Sequence, residues 1–162
     1  MKKTILAFTA MLLTVCVSVQ SSQAQLKRFS IGPYLEAAFP TGDFSKTHKP
    51  GGGIGLGADV KLIAGLTAVG SVGFMYMKGK DVSSVKAIPV RLGLRYTLVS
   101  ILYVKAEGGT VNFLGDYNNG TGALFAPGIG IRLLGLDVEG KYEAWFKDGT
   151  HGFWGLKAGY NF

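Results

Sequence analysis

The chain has 162 residues, enough for about one domain, and it carries a formal net charge of +7. Because 48% of its residues are hydrophobic and only 17% are charged, a disordered polar chain is excluded. The 25 glycines do not recur at every third position, which excludes a collagen, and the single cysteine excludes a disulfide framework and a cysteine-rich metal site.

Residues 1–24 have the pattern of a secretory signal peptide. A positive start precedes an uncharged apolar stretch at 5–19, and Ser22-Gln23-Ala24 supplies small residues at the −3 and −1 positions of a cleavage site. The apolar stretch is short for a membrane-spanning helix, which needs about 20 residues. A lipoprotein signal ending at Cys16 is the alternative, but the preceding valine is larger than the small residue usual there. We expect a cleaved signal peptide at 1–24 and one exported domain at 25–162.

Polar and apolar residues alternate with a period of two, the period of a β-strand, through the exported domain. In residues 136–147 all the charged side chains fall on one face, and residues 87–98 repeat the pattern. A helix would scatter these charges around its circumference. The alternation predicts eight strands, at residues 29–39, 52–63, 66–78, 87–98, 101–113, 123–134, 136–147 and 152–162.

The connections between these strands alternate in length. Those at 63–65, 99–100 and 134–135 are short enough for tight hairpin turns only. The other connections, at 40–51, 79–86, 114–122 and 148–151, are longer and polar. Short turns at one end, longer loops at the other and an even number of strands are typical of bacterial outer-membrane barrels. The fold predicted is all-β, an eight-stranded antiparallel up-and-down transmembrane β-barrel.

Alternation alone leaves open which face is wet, because a soluble lipocalin-like barrel also alternates. Three features favour the membrane barrel. First, the positive and negative charges of the polar face nearly balance and can pair in a narrow lumen. Second, that face is rich in glycine, which makes room for long side chains. Third, aromatic residues lie at both ends of the apolar face. The charges predicted to line the lumen are Lys61, Arg91, Arg95, Lys105, Arg132, Lys141, Lys157, Glu36, Asp59, Glu107, Asp137, Glu139 and Glu143.

The last nine residues, 154–162, alternate outward apolar side chains and close on a phenylalanine. In this segment and in residues 87–96 and 102–109, the exported domain resembles the small outer-membrane β-barrel proteins of diderm bacteria, the OmpA/OmpX-like group. The resemblance implies a location in the cell outer membrane and contact with the barrel-assembly machinery. It implies little about function, because these barrels serve as anchors, adhesins, enzymes and pores. The assembly signal that it implies consists of Trp154, Leu156, Tyr160 and Phe162.

Motifs that would carry chemistry are few. Residues 53–58 formally match the dinucleotide fingerprint G-x-G-x-x-A, but they continue as an alternating strand and not as the helix that the pyrophosphate needs. Asn119-Gly120-Thr121 reads as the tip of a loop. His48 and His151 fall in predicted external loops without further ligand residues, so we interpret them as exposed histidines. We expect no catalytic, cofactor-binding or metal-binding residues.

These observations favour a monomeric barrel with a plugged, charge-paired lumen and a structural or surface-interaction role. The excess of lysine in the loops indicates surface electrostatics beside anionic lipopolysaccharide and not nucleic-acid binding. An outer-membrane lipid A-modifying enzyme, of deacylase or acyltransferase type, is the alternative, and a narrow channel is less favoured because eight strands leave little room inside. The residue types of such an enzyme are present at Ser45, Ser83, Ser84, Glu143 and His151, without a spacing that assigns roles.

Overall fold

A computed structural model describes residues 28–115 and 120–162, so the predicted signal peptide lies outside the described residues. The described chain closes into a barrel in which each strand pairs antiparallel with its chain neighbours and the first strand pairs with the last. This confirms the predicted fold class. The elements are β1 (Phe29–Pro40), α1 (Gly42–Thr47), β2 (Gly51–Ile63), β3 (Leu66–Met77), β4 (Val85–Val99), β5 (Leu102–Leu114), β6 (Gly120–Leu133), β7 (Leu136–Phe146) and β8 (Thr150–Tyr160).

Several element bounds differ from the sequence-based expectation, and β4, β6 and β8 each begin two or three residues earlier than predicted. The connection at 40–51 contains the short helix α1. The last strand ends at Tyr160, two residues before its predicted end, because its pairing reaches Gly159 against β1 and Tyr160 against β7. Phe162 lies beyond that strand, where its backbone N–H donates to the carbonyl of Ile31 (3.0 Å) and its ring meets the Tyr160 ring edge-on (5.0 Å). No helix of the described ranges is long and apolar enough to span a membrane.

The three tight turns lie where the sequence predicts them. The pairs Ile63–Leu66, Val99–Leu102 and Leu133–Leu136 each enclose two residues. In the last turn Leu134 and Gly135 both have positive φ, 50° and 87°, the backbone signature of a type I′ turn. These turns share one end of the barrel, the turn end, and the longer connections share the other, the loop end.

The two faces of the barrel wall differ in polarity, as the alternation predicts. Large apolar side chains point outward, among them Leu35, Leu92 and Ile129, which are 64%, 70% and 53% exposed. Soluble monomers rarely expose apolar patches beyond a few hundred Å². Since the charged face is the inner one, the lipocalin-like alternative is excluded and the outer face is the lipid face.

The interior divides into an apolar half at the loop end and a charged half below it. The apolar half, here called the plug, places Trp145 edge-on against Phe113 (5.4 Å) and Phe153 (5.1 Å). The short helix α1 adds the buried side chain of Phe44 to it. The plug consists of Ala38, Phe44, Met75, Met77, Val85, Ala87, Val111, Phe113, Leu124, Trp145 and Phe153.

Candidate functional site

The charged half of the lumen is built in layers, because every second residue of β7 points inward. Along this strand Glu143 and Lys141 lie next to the plug, Glu139 follows, and Asp137 lies nearest the turn end. Each of these positions collects partners from other strands. The result is three groups, which we call the deep, middle and turn-end layers.

The deep layer joins two cations and two carboxylates, all with fully buried side chains. Glu143 accepts from Arg91 through Nε (3.0 Å) and Nη2 (2.9 Å), and it accepts from Lys141 Nζ (2.7 Å). Glu36 lies 2.8 Å from Lys141 Nζ and 3.4 Å from Arg91 Nη2. Two positive and two negative charges cancel here, which is the condition for burying such a set.

Two aromatic side chains attach the deep layer to its surroundings. Trp145 Nε1 donates to Glu143 (2.6 Å), so the plug and the charge layer share a hydrogen bond. Arg91 Nη1 donates to the Tyr34 hydroxyl (3.2 Å). A Cβ at Gly55 or Gly73 would lie 2.5 Å from that hydroxyl, so these glycines make room for the ring.

The middle layer holds Lys105, Glu107, Glu139 and Lys157. Lys105 Nζ contacts Glu139 (2.5 Å) and Glu107 (3.0 Å). Lys157 Nζ lies 3.8 Å from the centroid of the Tyr34 ring, at the distance of a cation–π contact. Two cations again face two carboxylates.

The turn-end layer holds Arg95, Arg132, Asp59 and Asp137. Arg132 bonds Asp59 through Nη1 (2.6 Å) and Asp137 through Nε (2.7 Å). Arg95 Nη1 lies 3.1 Å from Asp59 and 3.5 Å from Asp137. The Tyr103 hydroxyl donates to Asp137 (2.5 Å). This layer is also neutral.

Twelve of the thirteen charges predicted for the lumen therefore meet in the three layers. Lys61 is the exception: its parity is inward, but it lies near the end of β2 opposite Thr67, and its side chain is exposed at the mouth of the barrel. The expectation that Lys61 joins the paired set is wrong. Sequence reasoning also missed the plug. Trp145 and Phe153 occupy inward-facing positions of their strands, as the lumen charges do. This parity is the sequence signal that could have predicted the plug.

The expectation that His48 is an exposed loop histidine is wrong as well. Its side chain is 1% exposed, and its ring packs on the ring of Phe44 (4.7 Å between centroids). The Phe44 ring also packs on the ring of His151 (5.1 Å). His48 Nε2 donates to the Ser83 carbonyl (3.3 Å). Burial, with a smaller contribution from His151, lowers the pKa of His48 below the usual histidine value.

The residue types weighed for a lipid A-modifying enzyme do not meet in one place. Glu143 is bound inside the lumen by Arg91 and Lys141. Ser83 meets His48 through its backbone carbonyl, and the Ser45 hydroxyl donates to the Gly42 carbonyl (2.7 Å). Within 28–115 and 120–162, no three acidic, histidine or cysteine side chains are grouped to hold a metal ion.

Lysines surround the loop end. Lys86 belongs to the outward face of β4 and pairs in register with the lipid-facing Tyr76 of β3. Backbone hydrogen bonds from Lys49 N–H to the Lys78 carbonyl (2.8 Å) and from Lys80 N–H to the Thr47 carbonyl (2.9 Å) join the first two loops. All five side chains of this lysine collar are exposed: Lys46, Lys49, Lys78, Lys80 and Lys86.

The closed eight-stranded wall, the paired charges inside it and the apolar band outside it define a small outer-membrane β-barrel. A lipid environment admits sheets only as closed barrels, and bacterial barrels with short turns at one end belong to the outer membrane. The chain is an integral protein of that membrane.

Solved structures share this fold. A de novo designed transmembrane β-barrel superposes with a TM-score of 0.56 at 15% identity, over 82% of this chain and 95% of that one. Ail, the attachment invasion locus protein of Yersinia pestis, gives 0.53 at 18% identity, over 83% and 97%. The N-terminal β-barrel domain of Pseudomonas aeruginosa OprF gives 0.50 at 16% identity, over 82% and 97%. No family model and no curated protein matches the sequence.

Proposed function

We propose that this protein is a monomeric, non-enzymatic surface protein whose loop end binds lipopolysaccharide. The observation that carries the proposal is the lysine collar at the level where the barrel leaves the membrane. Lys86 points outward beside Tyr76, whose ring is 41% exposed on the lipid face. Aromatic residues of this kind lie at the headgroup level, where anionic lipids attract lysine.

The collar is ordered before any ligand arrives. Besides the backbone bonds between the two loops, Lys80 Nζ donates to the Ser45 carbonyl (2.7 Å), and the Tyr76 hydroxyl donates to Ser84 (3.3 Å). A surface ordered in advance loses less conformational entropy when it binds. The acidic side chains described nearby, Asp43, Asp81 and Asp148, are fewer than the lysines, so attraction for phosphate groups dominates.

The closed lumen supports a role without transport. The plug fills the loop half, and the deep layer leaves the side chains of Arg91 and Lys141 fully buried. During biogenesis, we propose, the barrel-assembly machinery reads the outward face of β8 with Phe162 beyond it.

The test compares binding of detergent-folded protein to vesicles with and without lipopolysaccharide. We expect binding to the lipopolysaccharide vesicles that falls with added salt, and weaker binding by the double variant Lys78→Gln/Lys86→Gln. Lys86→Gln alone should also bind more weakly. Lys61→Gln, which removes one lysine at the opposite end of the barrel, is its matched control and should bind as wild type does. Equal binding to both kinds of vesicle, or equal binding by the double variant, would overturn the proposal.

A further inference from the structure

The lumen is open at the turn end, where it forms a cavity of about 790 Å³. This volume falls in the range of small-molecule sites, roughly 300–1,000 Å³. The turn-end layer forms the inner end of the cavity, and the mouth of the barrel forms its outer end. We call it the turn-end cavity, and its charged and aromatic lining residues are Arg28, Asp59, Lys61, Arg95, Tyr103 and Arg132.

The lining of the turn-end cavity is cationic. Within the described side chains, Asp59 is the only carboxylate that lines the cavity, and it forms ion pairs with Arg95 (3.1 Å) and Arg132 (2.6 Å). The turn-end layer is neutral, so Lys61 and Arg28 remain as excess positive charges at the mouth. Since a concave wall of low dielectric focuses the field of such charges, the cavity attracts anions.

Hydrogen-bond donors converge on the same space. The hydroxyl groups of Ser30, Thr67, Thr97 and Ser100 belong to its lining. Arg95 contacts Asp59 and Asp137 through Nη1, and the residue lines the cavity. Charged donors and hydroxyl groups around one space suit an oxyanion better than an apolar ligand.

From this geometry we propose that the turn-end cavity binds a small oxyanion with two or more negative charges, bearing phosphate or carboxylate groups. In outer-membrane barrels the short turns face the periplasm, so the ligand comes from that compartment. Lys61 supplies a positive charge outside the three neutral layers, and Arg95 and Arg132 form the inner wall. This site is separate from the lysine collar at the other end.

Isothermal titration of the detergent-folded mature protein with inorganic pyrophosphate, and separately with citrate, tests the proposal and distinguishes phosphate from carboxylate chemistry. We expect one anion to bind at a single site, and Lys61→Gln to weaken it about tenfold through loss of a charged hydrogen bond. Lys147→Gln is the matched control with the same change of charge and should leave the affinity unaltered, because Lys147 lies at the loop end, outside the lysine collar, with its Nζ 5.4 Å from the centroid of the Phe113 ring.

Each variant is first shown to be folded by its heat-dependent mobility on SDS gels. Arg28→Gln tests a second lining residue of the turn-end cavity and should also weaken anion binding. Absence of binding by both anions, or equal weakening by Lys61→Gln and Lys147→Gln, would overturn the proposal. Neither result bears on lipopolysaccharide binding, because the affinity for that lipid is measured with the collar variant Lys78→Gln/Lys86→Gln.

Discussion

Replacing Glu143 with glutamine tests the charge pairing inside the lumen. The two oxygens of Glu143 accept four donors between 2.6 and 3.0 Å, from Arg91 twice, Lys141 and Trp145. In Glu143→Gln one oxygen becomes an amide NH2, which must face the N–H groups of a buried cation in either orientation. Arg91 and Lys141 then share Glu36 as their nearest carboxylate. Removing one partner of a buried ion pair costs roughly 3–5 kcal/mol, so we expect a loss of stability of that size.

The free energy of unfolding is measured by urea titration of the folded barrel in lipid vesicles. The fluorescence of the two tryptophans, Trp145 and Trp154, is one probe and gel mobility is the other. Asp43→Asn is the control. Its carboxylate pairs with Lys46 on α1 at 2.7 Å, but both side chains are well exposed, and we expect no measurable change.

A double variant separates the pairing from general damage to the packing. In Arg91→Met/Glu143→Gln the deep layer keeps Lys141 with Glu36 at 2.8 Å and is neutral again. The two substitutions should therefore cost less together than the sum of their separate costs. A wild-type stability for Glu143→Gln, or strict additivity in the double variant, would refute the reasoning.

Three further predictions follow from the plug, the histidines and the carboxyl-terminal segment. Wild-type protein in planar bilayers should show no steady conductance, whereas Trp145→Ala, which empties the centre of the plug, should lose about 3–5 kcal/mol and show small openings; a large wild-type current would contradict the closed lumen. Burial keeps His48 neutral by lowering its pKa, so the unfolded loop binds protons more readily, and the stability of α1 should fall as pH drops below 6.5. Faster hydrogen exchange of α1 at pH 5.5 than at 7.5, after correction for intrinsic rates, checks this, and His48→Gln should reduce the difference. Deletion of Phe162 removes at most roughly 1.5–3 kcal/mol of burial, so the chain should still fold in detergent. In cells it should fail to insert if the segment is an assembly signal, and normal insertion at wild-type abundance would show that it is not.

The strands and their inward and outward faces were predictable because alternation is a local property. Each residue's face follows from its parity within a strand, and no partner strand needs to be known. Residues 136–147 illustrate this, since Asp137, Glu139, Lys141 and Glu143 all point inward as predicted. The tight turns were predictable for the same reason, because their length admits few conformations.

What the side chains meet across the lumen depended on the tertiary structure. Parity places Trp145 with the charged residues, but the register sets it beside Leu124 and the inward face of β8, where Phe153 completes the plug. Registers are set by all eight strands closing together, and long side chains reach over several residues, so neither effect is visible in one segment of sequence. His48 was likewise expected to be exposed, because no feature of the neighbouring sequence predicts that α1 packs inward over the loop end. Alternation alone predicts that Lys61 has inward parity. Its position outside the three neutral layers follows from the closed barrel, because an ion pair depends on distances between strands that come together only on closure.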